Sequence, residues 1–223
     1  MKAFHTSAGL ALVVAVVIGG AQKASAQAAR AVIHGDAAGT IGWLAANSHA
    51  PGEYYHDNWI SSLYGAGSAG WHWTDNLKTE VDFGAGTDSR AFRSEQIVID
   101  GRPTYYTVES RFSRRTLGVS QQYQFFHNVW FHPHVAAGAN FTWQRETDEP
   151  QQIYVYNAVT LQSRLLPPIR SDSTQTSLQV NPFLAVGYKA YVSERAFFRN
   201  DLRIAFRGGI DETTLRIGFG FDF

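Results

Sequence analysis

Thr213-Thr-Leu-Arg-Ile-Gly-Phe-Gly-Phe-Asp-Phe223 is the segment of the sequence with the clearest alternating pattern. Five large apolar side chains, from Leu215 to Phe223, alternate with threonine, arginine, glycine and aspartate. This period of two indicates a β-strand with one apolar face, and its length is about what a tilted membrane strand needs. A soluble sandwich would bury the apolar face, whereas a membrane barrel would turn it to lipid and fill its interior with the small and charged residues. The period alone fits both.

The same alternation recurs upstream and predicts an all-β chain. No long helical period follows the first 26 residues, and 223 residues suffice for one domain. The predicted strands are 37–47, 59–73, 77–90, 106–125, 131–144, 176–192, 197–208 and 213–223. About eight strands in succession predict a single antiparallel up-and-down β-barrel.

The connections between these strands differ in length in a regular way. Tight turns are predicted near 74–76, 127–128 and 193–195, and the other connections are about 48–58, 91–106 and 145–176, with a short one near 209–212. Outer-membrane barrels have short periplasmic turns and longer outer loops. The asymmetry therefore favours a transmembrane barrel, and the even strand number predicts that both ends lie in the periplasm.

Aromatic residues gather at both ends of the predicted strands. Those near the tight turns are Trp71, Trp73, Tyr123, Phe125, Phe126, Trp130, Phe131, Tyr191, Phe197 and Phe198. Those near the long connections are Trp43, Trp59, Tyr64, Phe92, Phe141 and Trp143. Two aromatic belts are typical of the two membrane interfaces, whereas a sandwich core would spread its aromatics along each strand.

The N-terminal segment has the pattern of a targeting signal. Lys2 and His5 form a polar head, 8–20 is an apolar or small run too short to span a membrane as a helix, and 24–26 fits a cleavage site. We therefore expect a cleaved signal peptide at 1–26 and a barrel domain at 27–223. The expected location is the cell outer membrane of a Gram-negative bacterium.

The composition excludes several kinds of site. The chain has no cysteine, which removes disulfides, thiolate metal sites and a cysteine nucleophile together. The formal net charge is +0, so nothing indicates a nucleic-acid partner. Charged residues make up 17% of the chain, below the roughly 25% that is usual for soluble domains.

Together with the signal segment, two stretches resemble a known family. The hairpin 70–81 and the terminal strand 215–223 are similar to those of the small eight-stranded outer-membrane β-barrel proteins, broadly the OmpA-like barrel domains. The resemblance implies that Phe219, Phe221 and Phe223 form a C-terminal signal read by the barrel-assembly machinery. It also implies outer-membrane lipid and lipopolysaccharide as surroundings. It implies no activity, because members differ mainly in their loops.

A set of charged residues falls on the face of the strands that would line the barrel. These residues are Lys78, Glu80, Asp82, Lys189, Arg199, Asp201, Arg203, Arg207 and Arg216. A barrel of eight strands has an interior just wide enough for side chains, and buried charges must be paired. We predict an internal salt-bridge network that plugs the lumen. The alternative is a gated, narrow passive pore for small solutes.

Two enzymatic or metal-binding alternatives are weaker. His72, His132 and His134 share the inward face, but no carboxylate accompanies them at a spacing diagnostic of a metal site. A lipopolysaccharide acyl-hydrolase or acyltransferase would need a serine, a histidine and an acid near the outer leaflet, and the local set is His49, His56, Asp57 and Ser61. Their spacing matches no motif. We expect no catalytic residue, no cofactor and no metal.

The long connections are the candidate binding region. Alternating segments flank Asp100-Gly101, a preferred hairpin turn, and predict strands that continue beyond the membrane as a ribbon. Exposed strand edges can add to the sheet of a partner. The sequence thus predicts a structural or surface-interaction role, adhesion or recognition, with an extracellular ligand bound through loops 91–106 and 145–175.

Overall fold

The computed structural model describes residues 34–48, 59–99, 101–126, 130–149, 154–157, 162–165 and 173–223. In these residues the strands are β1 (Gly35–Asn47), β2 (Trp59–His72), β3 (Leu77–Gly86), β4 (Ser89–Ile99), β5 (Arg102–Gln124), β6 (Phe131–Glu149), β7 (Tyr154–Asn157), β8 (Gln162–Leu165), β9 (Ser173–Tyr191), β10 (Ala196–Phe206) and β11 (Ile210–Asp222). The described residues contain no helix long and apolar enough to cross a membrane. The predicted signal peptide lies outside them, so its cleavage stays a prediction.

Eight of these strands close into a barrel. The antiparallel order is β3-β2-β1-β11-β10-β9-β6-β5, and β5 then pairs with β3 from Leu77↔Tyr123 to Ala85↔Arg115. The terminal strands β1 and β11 pair along almost their whole length. Each strand is thereby hydrogen-bonded on both sides, which removes the sheet edges that cannot exist in lipid. The prediction of an all-β, up-and-down, eight-stranded barrel is confirmed.

The barrel exposes its apolar side chains on the outside and buries its charged side chains inside. On β3, the apolar Val81 and Phe83 are exposed on the outer wall, whereas Lys78, Glu80 and Asp82 are buried. The same alternation runs through the terminal strand, where Phe219 is 65% exposed and Arg216 is 2% exposed. A wide apolar outer wall around a charged interior is the distribution that lipid requires and water opposes. The strands therefore span a membrane.

The predicted third strand, 77–90, is two strands in the structure, and this correction changes the loop end of the barrel. β3 ends at Gly86 and β4 begins at Ser89, because the register against β5 shifts by one residue between Ala85↔Arg115 and Ser89↔Phe112. A bulge of this kind bends a strand and strengthens its twist. We call this end, where the long connections lie, the loop end, and the opposite end the turn end.

The bend lets β4 and the first half of β5 leave the barrel as a two-stranded ribbon. β4 pairs with β5 from Ser89↔Phe112 to Ile99↔Arg102. Gly101 follows with a φ of 74°, which glycine adopts without strain. The base of the ribbon is held to β2 by an apolar cluster of Ile60, Ala91 and Phe112. The predicted ribbon is thus present, and 91–99 and 102–106, which were predicted as a long connection, are strand.

The region predicted as the 145–175 loop also contains more strand than expected. β6 and β9 continue their pairing to Asp148↔Ser173, and β7 and β8 form a separate short hairpin. The predicted aromatic belts are present on the outer wall, with Trp71 and Trp130 exposed at the turn end and Trp43 and Trp143 at the loop end.

Three aromatic residues do not belong to the belts. Tyr64 and Phe197 lie at the predicted heights but point into the lumen, where they are 3% and 0% exposed. Tyr191 lies on the inward face of β9, and its ring packs against Phe197. Tyr64 shares the inward face of β2, and Phe197 shares that of β10 with Arg199 and Asp201. Height along the barrel was predicted from position in the sequence, but the face of each strand decides which wall a side chain joins.

Candidate functional site in the barrel lumen

The structure places eight of the nine predicted lumen charges inside the barrel. These eight are Lys78, Glu80, Asp82, Lys189, Arg199, Asp201, Arg203 and Arg216, each at most 3% exposed. The ninth, Arg207, is exposed, and its assignment to the lumen was wrong. β10 ends at Phe206, and 207–209 form a turn in which Gly208 has a φ of 74°. The alternation of faces holds only within a strand, so it does not extend to Arg207.

The centre of the lumen is crossed by ion pairs between opposite walls. β3 and β10 are four strands apart in the ring of eight, so they face each other across its diameter. Glu80 on β3 accepts two hydrogen bonds from Arg199 on β10, each 2.7 Å long. Two parallel bonds between a guanidinium and a carboxylate are the strongest arrangement available to such a pair.

Asp201 extends this bridge to a third strand. Its two oxygens accept hydrogen bonds from Arg199 Nε at 2.8 Å and from Arg216 Nε at 2.7 Å. Arg216 on β11 in turn contacts Asp82 with its Nη1 at 3.3 Å. One carboxylate therefore serves two guanidinium groups, which holds neighbouring strands and the opposite wall in one network.

A second bridge across the diameter lies nearer the loop end. Arg203 donates hydrogen bonds to both oxygens of Asp82, at 3.1 and 2.7 Å, and to Oδ1 of Asn140 on β6 at 2.9 Å. Its guanidinium also lies 4.0 Å from the centre of the Phe183 ring. A guanidinium over an aromatic face gains a further electrostatic attraction, which strengthens in a dry interior.

The turn end of the lumen is closed by two lysines that share one carboxylate. Lys78 Nζ contacts Asp36 Oδ2 and Glu80 Oε2, both at 2.7 Å, and Lys189 Nζ contacts the same oxygen of Asp36. Lys189 also lies 3.6 Å from Asp222, to which Tyr191 donates a hydrogen bond. Lys189 is 4.1 Å from the centre of the Phe197 ring. These contacts connect β1, β3, β9 and β11.

The ion pairs form one continuous network. In order of contact it runs through Asp222, Lys189, Asp36, Lys78, Glu80, Arg199, Asp201, Arg216, Asp82 and Arg203. Positive and negative members are equal in number, so the charges compensate each other within the lumen. Such compensation is what a buried set of charges needs, because an unpaired one would keep its full desolvation cost.

Glycines leave room for this network. A Cβ added to Gly118 on β5 would lie 2.5 Å from Asp82 Oδ2 and 2.9 Å from Arg203 Nη1. Both distances are shorter than carbon makes with such atoms. Gly70 on β2 occupies a similar position against Lys78 Nζ, at 3.0 Å. The network thus depends on the absence of side chains on the walls beside it.

A second, smaller polar cluster lies at the loop end. Arg114 contacts Glu212 at 3.3 Å and donates to the carbonyl of Asn47 at 2.6 Å, and Asn181 donates to Asp211 at 2.7 Å. Asp211 and Glu212 are consecutive yet both buried, because the pairing of β10 with β11 shifts register between Ala205 and Phe206. The bulge turns two neighbouring carboxylates to the same side.

The sequence prediction missed several members of these clusters. Asp36 and Asp222 lie on the inward faces of β1 and β11, and Asp222 is on the same face of the terminal strand as Arg216. Arg114 is inward by the same rule, between Ser113 and Arg115. The signal was available at these positions. No such signal marks Asp211, because its burial depends on the bulge.

The alternative chemical sites find no support in the described residues. His132 and His134 are buried and His72 lies 3.5 Å from Asp36, but no group of three or more His, Cys, Asp or Glu in the described residues is arranged to hold a metal. Of the set considered for lipid hydrolysis, His49, His56 and Asp57 lie outside the described residues. Ser61 is exposed on the outer face of β2.

The chain was compared with protein families, curated proteins and solved structures. No model of a protein family and no curated protein matches the sequence. Among solved structures, the N-terminal β-barrel domain of Pseudomonas aeruginosa OprF is 17% identical over 86% of this chain and 98% of that chain, with a TM-score of 0.46. Neisserial surface protein A is 15% identical over 85% and 96%, with a TM-score of 0.49. The outer membrane protein OprG from Pseudomonas aeruginosa is 14% identical over 86% and 97%, also at 0.49.

These likenesses are weak in sequence, and the fold rests on the strand order, closure and burial of the chain itself. By those criteria this protein is a small, eight-stranded, up-and-down transmembrane β-barrel.

Proposed function

We propose that this protein is an outer-membrane barrel whose role is structural and surface-interacting, with its lumen sealed and its loop end facing outward. The observation that carries the proposal is the division of the molecule. The charges of the lumen are paired with one another, while the β4–β5 ribbon extends past the lipid-facing wall with an edge that no described strand pairs. Recognition is thereby assigned to the loop end.

The outer-membrane location rests on physical arguments about the strands. A closed barrel with an apolar wall and two aromatic belts suits a bilayer, and short turns at one end with long connections at the other are typical of the outer membrane. We propose export through a cleaved signal peptide at 1–26. Phe219, Phe221 and Phe223, all exposed on the outer wall, are proposed as the signal for the barrel-assembly machinery.

The lumen network is proposed as a plug rather than a pore. Bridges from β3 to β10 cross the diameter at Glu80–Arg199 and again at Asp82–Arg203, so a solute would have to separate both. Separating a buried pair leaves charges uncompensated, which is costly in a medium of low dielectric. The alternative is a narrow passive pore, and conductance measurements distinguish it from a plug.

The ribbon is the proposed binding element. β4 is the last strand of its sheet and pairs only with β5 within the described residues, so its other edge has free backbone donors and acceptors. An extended segment of a partner can add to such an edge through main-chain hydrogen bonds. The 145–175 region contains a second pair of strands, the β7–β8 hairpin. We propose that an extracellular ligand binds through 91–106 and 145–175.

The test compares binding by cells that display three forms of the protein. The first is the unchanged chain, the second has 95–106 replaced by Asn-Gly between the paired Ser94 and Thr107, and the third has 150–172 shortened. Binding to an array of immobilised glycans and surface proteins is measured at equal surface expression. We expect the unchanged chain to retain a target that the ribbon-shortened form loses. Equal binding by all forms to every target would remove the interaction role.

A further inference from the structure

The outer wall carries positive charge on one side of the loop end. β4, β5 and β6 turn Arg90, Arg111, Arg115 and Arg145 outward, in neighbouring rows of the sheet. In the described residues, the outward positions at the loop ends of β1, β2, β9, β10 and β11 hold apolar residues, alanine, serine, threonine and asparagine instead. The arginines therefore form a local patch rather than a belt.

Two of these arginines have no ion-pair or hydrogen-bond partner among the residues that the structure describes. Arg111 contacts Glu149 at 2.5 Å, and Arg90 contacts Glu109 at 3.0 Å. Arg115 and Arg145 are exposed, and neither takes part in an ion pair or hydrogen bond with the described part of the chain. Their guanidinium groups are available to an external anion.

The patch surrounds a shallow cavity. Its volume is about 290 Å³, and it is lined by Asp88, Arg111, Ser113, Arg145, Thr147 and Glu149. Ser113 lies directly across from Arg145 in the pairing of β5 with β6. Hydroxyl groups beside guanidinium groups suit phosphate oxygens, and the carboxylates of Asp88 and Glu149 can accept hydrogen bonds from hydroxyls of a ligand. The lining therefore suits a group that carries both phosphate and hydroxyls.

The depth of the patch places it at the surface of a membrane. Arg115 is paired across the strands with Trp143, which is 40% exposed, and the next outward residues toward the turn end are Leu117 and Phe141. Tryptophan concentrates at the membrane–water interface, and arginine extends its charged end to the headgroups. The guanidinium groups of Arg115 and Arg145 thus lie where lipid headgroups lie.

We propose that this patch binds the phosphorylated sugar headgroup of an anionic lipid, with Arg115 and Arg145 contacting phosphate. The proposal rests on the outer-membrane location proposed above and adds a lipid site on the outer wall, separate from the ribbon. The lipid holds its phosphate at the level of the patch. It also supplies the sugar hydroxyls that the two carboxylates and the two hydroxyl side chains can meet.

The test titrates lipid A and its dephosphorylated form into the refolded, full-length protein in neutral detergent. The variant is R115Q/R145Q, and the matched control is R207Q, which removes an exposed arginine of the loop-end turn outside the patch. We expect the double variant to bind lipid A about 10- to 30-fold more weakly, because each arginine near an anionic lipid surface contributes to attraction. We expect R207Q to bind as the unchanged chain does, and dephosphorylation of the lipid to reduce the affinity of the unchanged chain.

Each other outcome overturns the proposal in a distinguishable way. Insertion into vesicles is measured first, and a chain that does not insert would refute the membrane location together with the lipid site. An inserted chain whose double variant binds lipid A as tightly as R207Q would refute the site alone. A titration with inorganic phosphate distinguishes a lipid headgroup from free phosphate as the ligand. If free phosphate binds as tightly as lipid A, with the same dependence on Arg115 and Arg145, the assignment to a lipid is wrong.

Discussion

The lumen and the β4–β5 ribbon are parts of one sheet with opposite surroundings. In the lumen, strands are paired on both sides and their inward charges meet charges from the opposite wall, as Glu80 meets Arg199. In the ribbon, β4 is paired on one side, and contacts with β2 are confined to the base, around Ile60 and Phe112. The contacts that stabilise the barrel and the proposed recognition element therefore lie in separate parts of the molecule. Changes in the lumen should therefore affect folding, and changes in the ribbon should not.

The largest effect is expected from removal of the two carboxylates that bridge the diameter. E80A/D82A removes the carboxylates that pair with Arg199 and Arg203 across the lumen, and removing one side of a buried pair costs about 3–5 kcal/mol. The free energy of unfolding, measured by urea titration in lipid vesicles, should fall by at least that amount. The control is E149A, because the Arg111–Glu149 pair is 41% and 38% exposed and surface pairs contribute about 0–1 kcal/mol. Equal losses in both variants would contradict the account.

The next largest loss of stability is expected when a side chain is added at the glycine beside the lumen ion-pair network. G118V introduces a side chain whose Cβ lies 2.5 Å from Asp82 Oδ2, so Asp82 and Arg203 must move apart or shift together. Overpacking of this kind costs about 1–3 kcal/mol. The matched control is G67V on β2, where a Cβ meets nothing within 4 Å. The free energies of unfolding of the two variants should differ by that amount. A G118V barrel as stable as the G67V barrel would show that the network can accommodate a side chain at this position.

A smaller effect is expected from one hydroxyl. Tyr64 and Thr116 share a buried hydrogen bond of 2.7 Å between their side-chain oxygens. Y64F removes it and should lower the free energy of unfolding by about 0.5–1.5 kcal/mol, since Thr116 then keeps only a long hydrogen bond of 3.5 Å to the carbonyl of Gly84. Y123F, on the exposed outer wall, is the control and should leave stability unchanged. A Y64F variant indistinguishable from Y123F would mean that water replaces the bond without loss.

The smallest effect is expected from the ribbon. Replacing 95–106 with Asn-Gly keeps Ala91 and Phe112 at the base and removes strand that pairs with no other part of the described barrel. The urea midpoint should stay unchanged within error, equivalent to about 0.5 kcal/mol or less, as for surface changes in general. Destabilisation as large as that of E80A/D82A would show that stability and recognition are not separated.

The alternation of side chains explains how much of this architecture could be predicted. Because a strand turns successive residues to opposite walls, Arg199, Asp201 and Arg203 were assigned inward from sequence alone, and the structure places them there. The same rule failed at Arg207, where the strand has ended, and at Asp211, where a bulge reverses the face. The glycines at 208–209 indicate that a turn is near, but they do not fix the last residue of the strand, and nothing in the local sequence marks the bulge.

The partners of each charge could not be predicted at all. Glu80 and Arg199 are 119 residues apart, and they meet because β3 and β10 stand opposite each other in a ring of eight strands. That meeting depends on the stagger of every intervening pair of strands. The apolar outer wall, by contrast, contacts lipid and not another strand, so it could be predicted from the alternation within each single strand.

The conductance of the refolded protein in planar lipid bilayers shows whether the lumen is closed by its own charges. We expect the unchanged chain to insert and to produce no sustained current above the bilayer leak. A stable, reproducible open state in the unchanged chain would contradict it and establish the narrow pore instead.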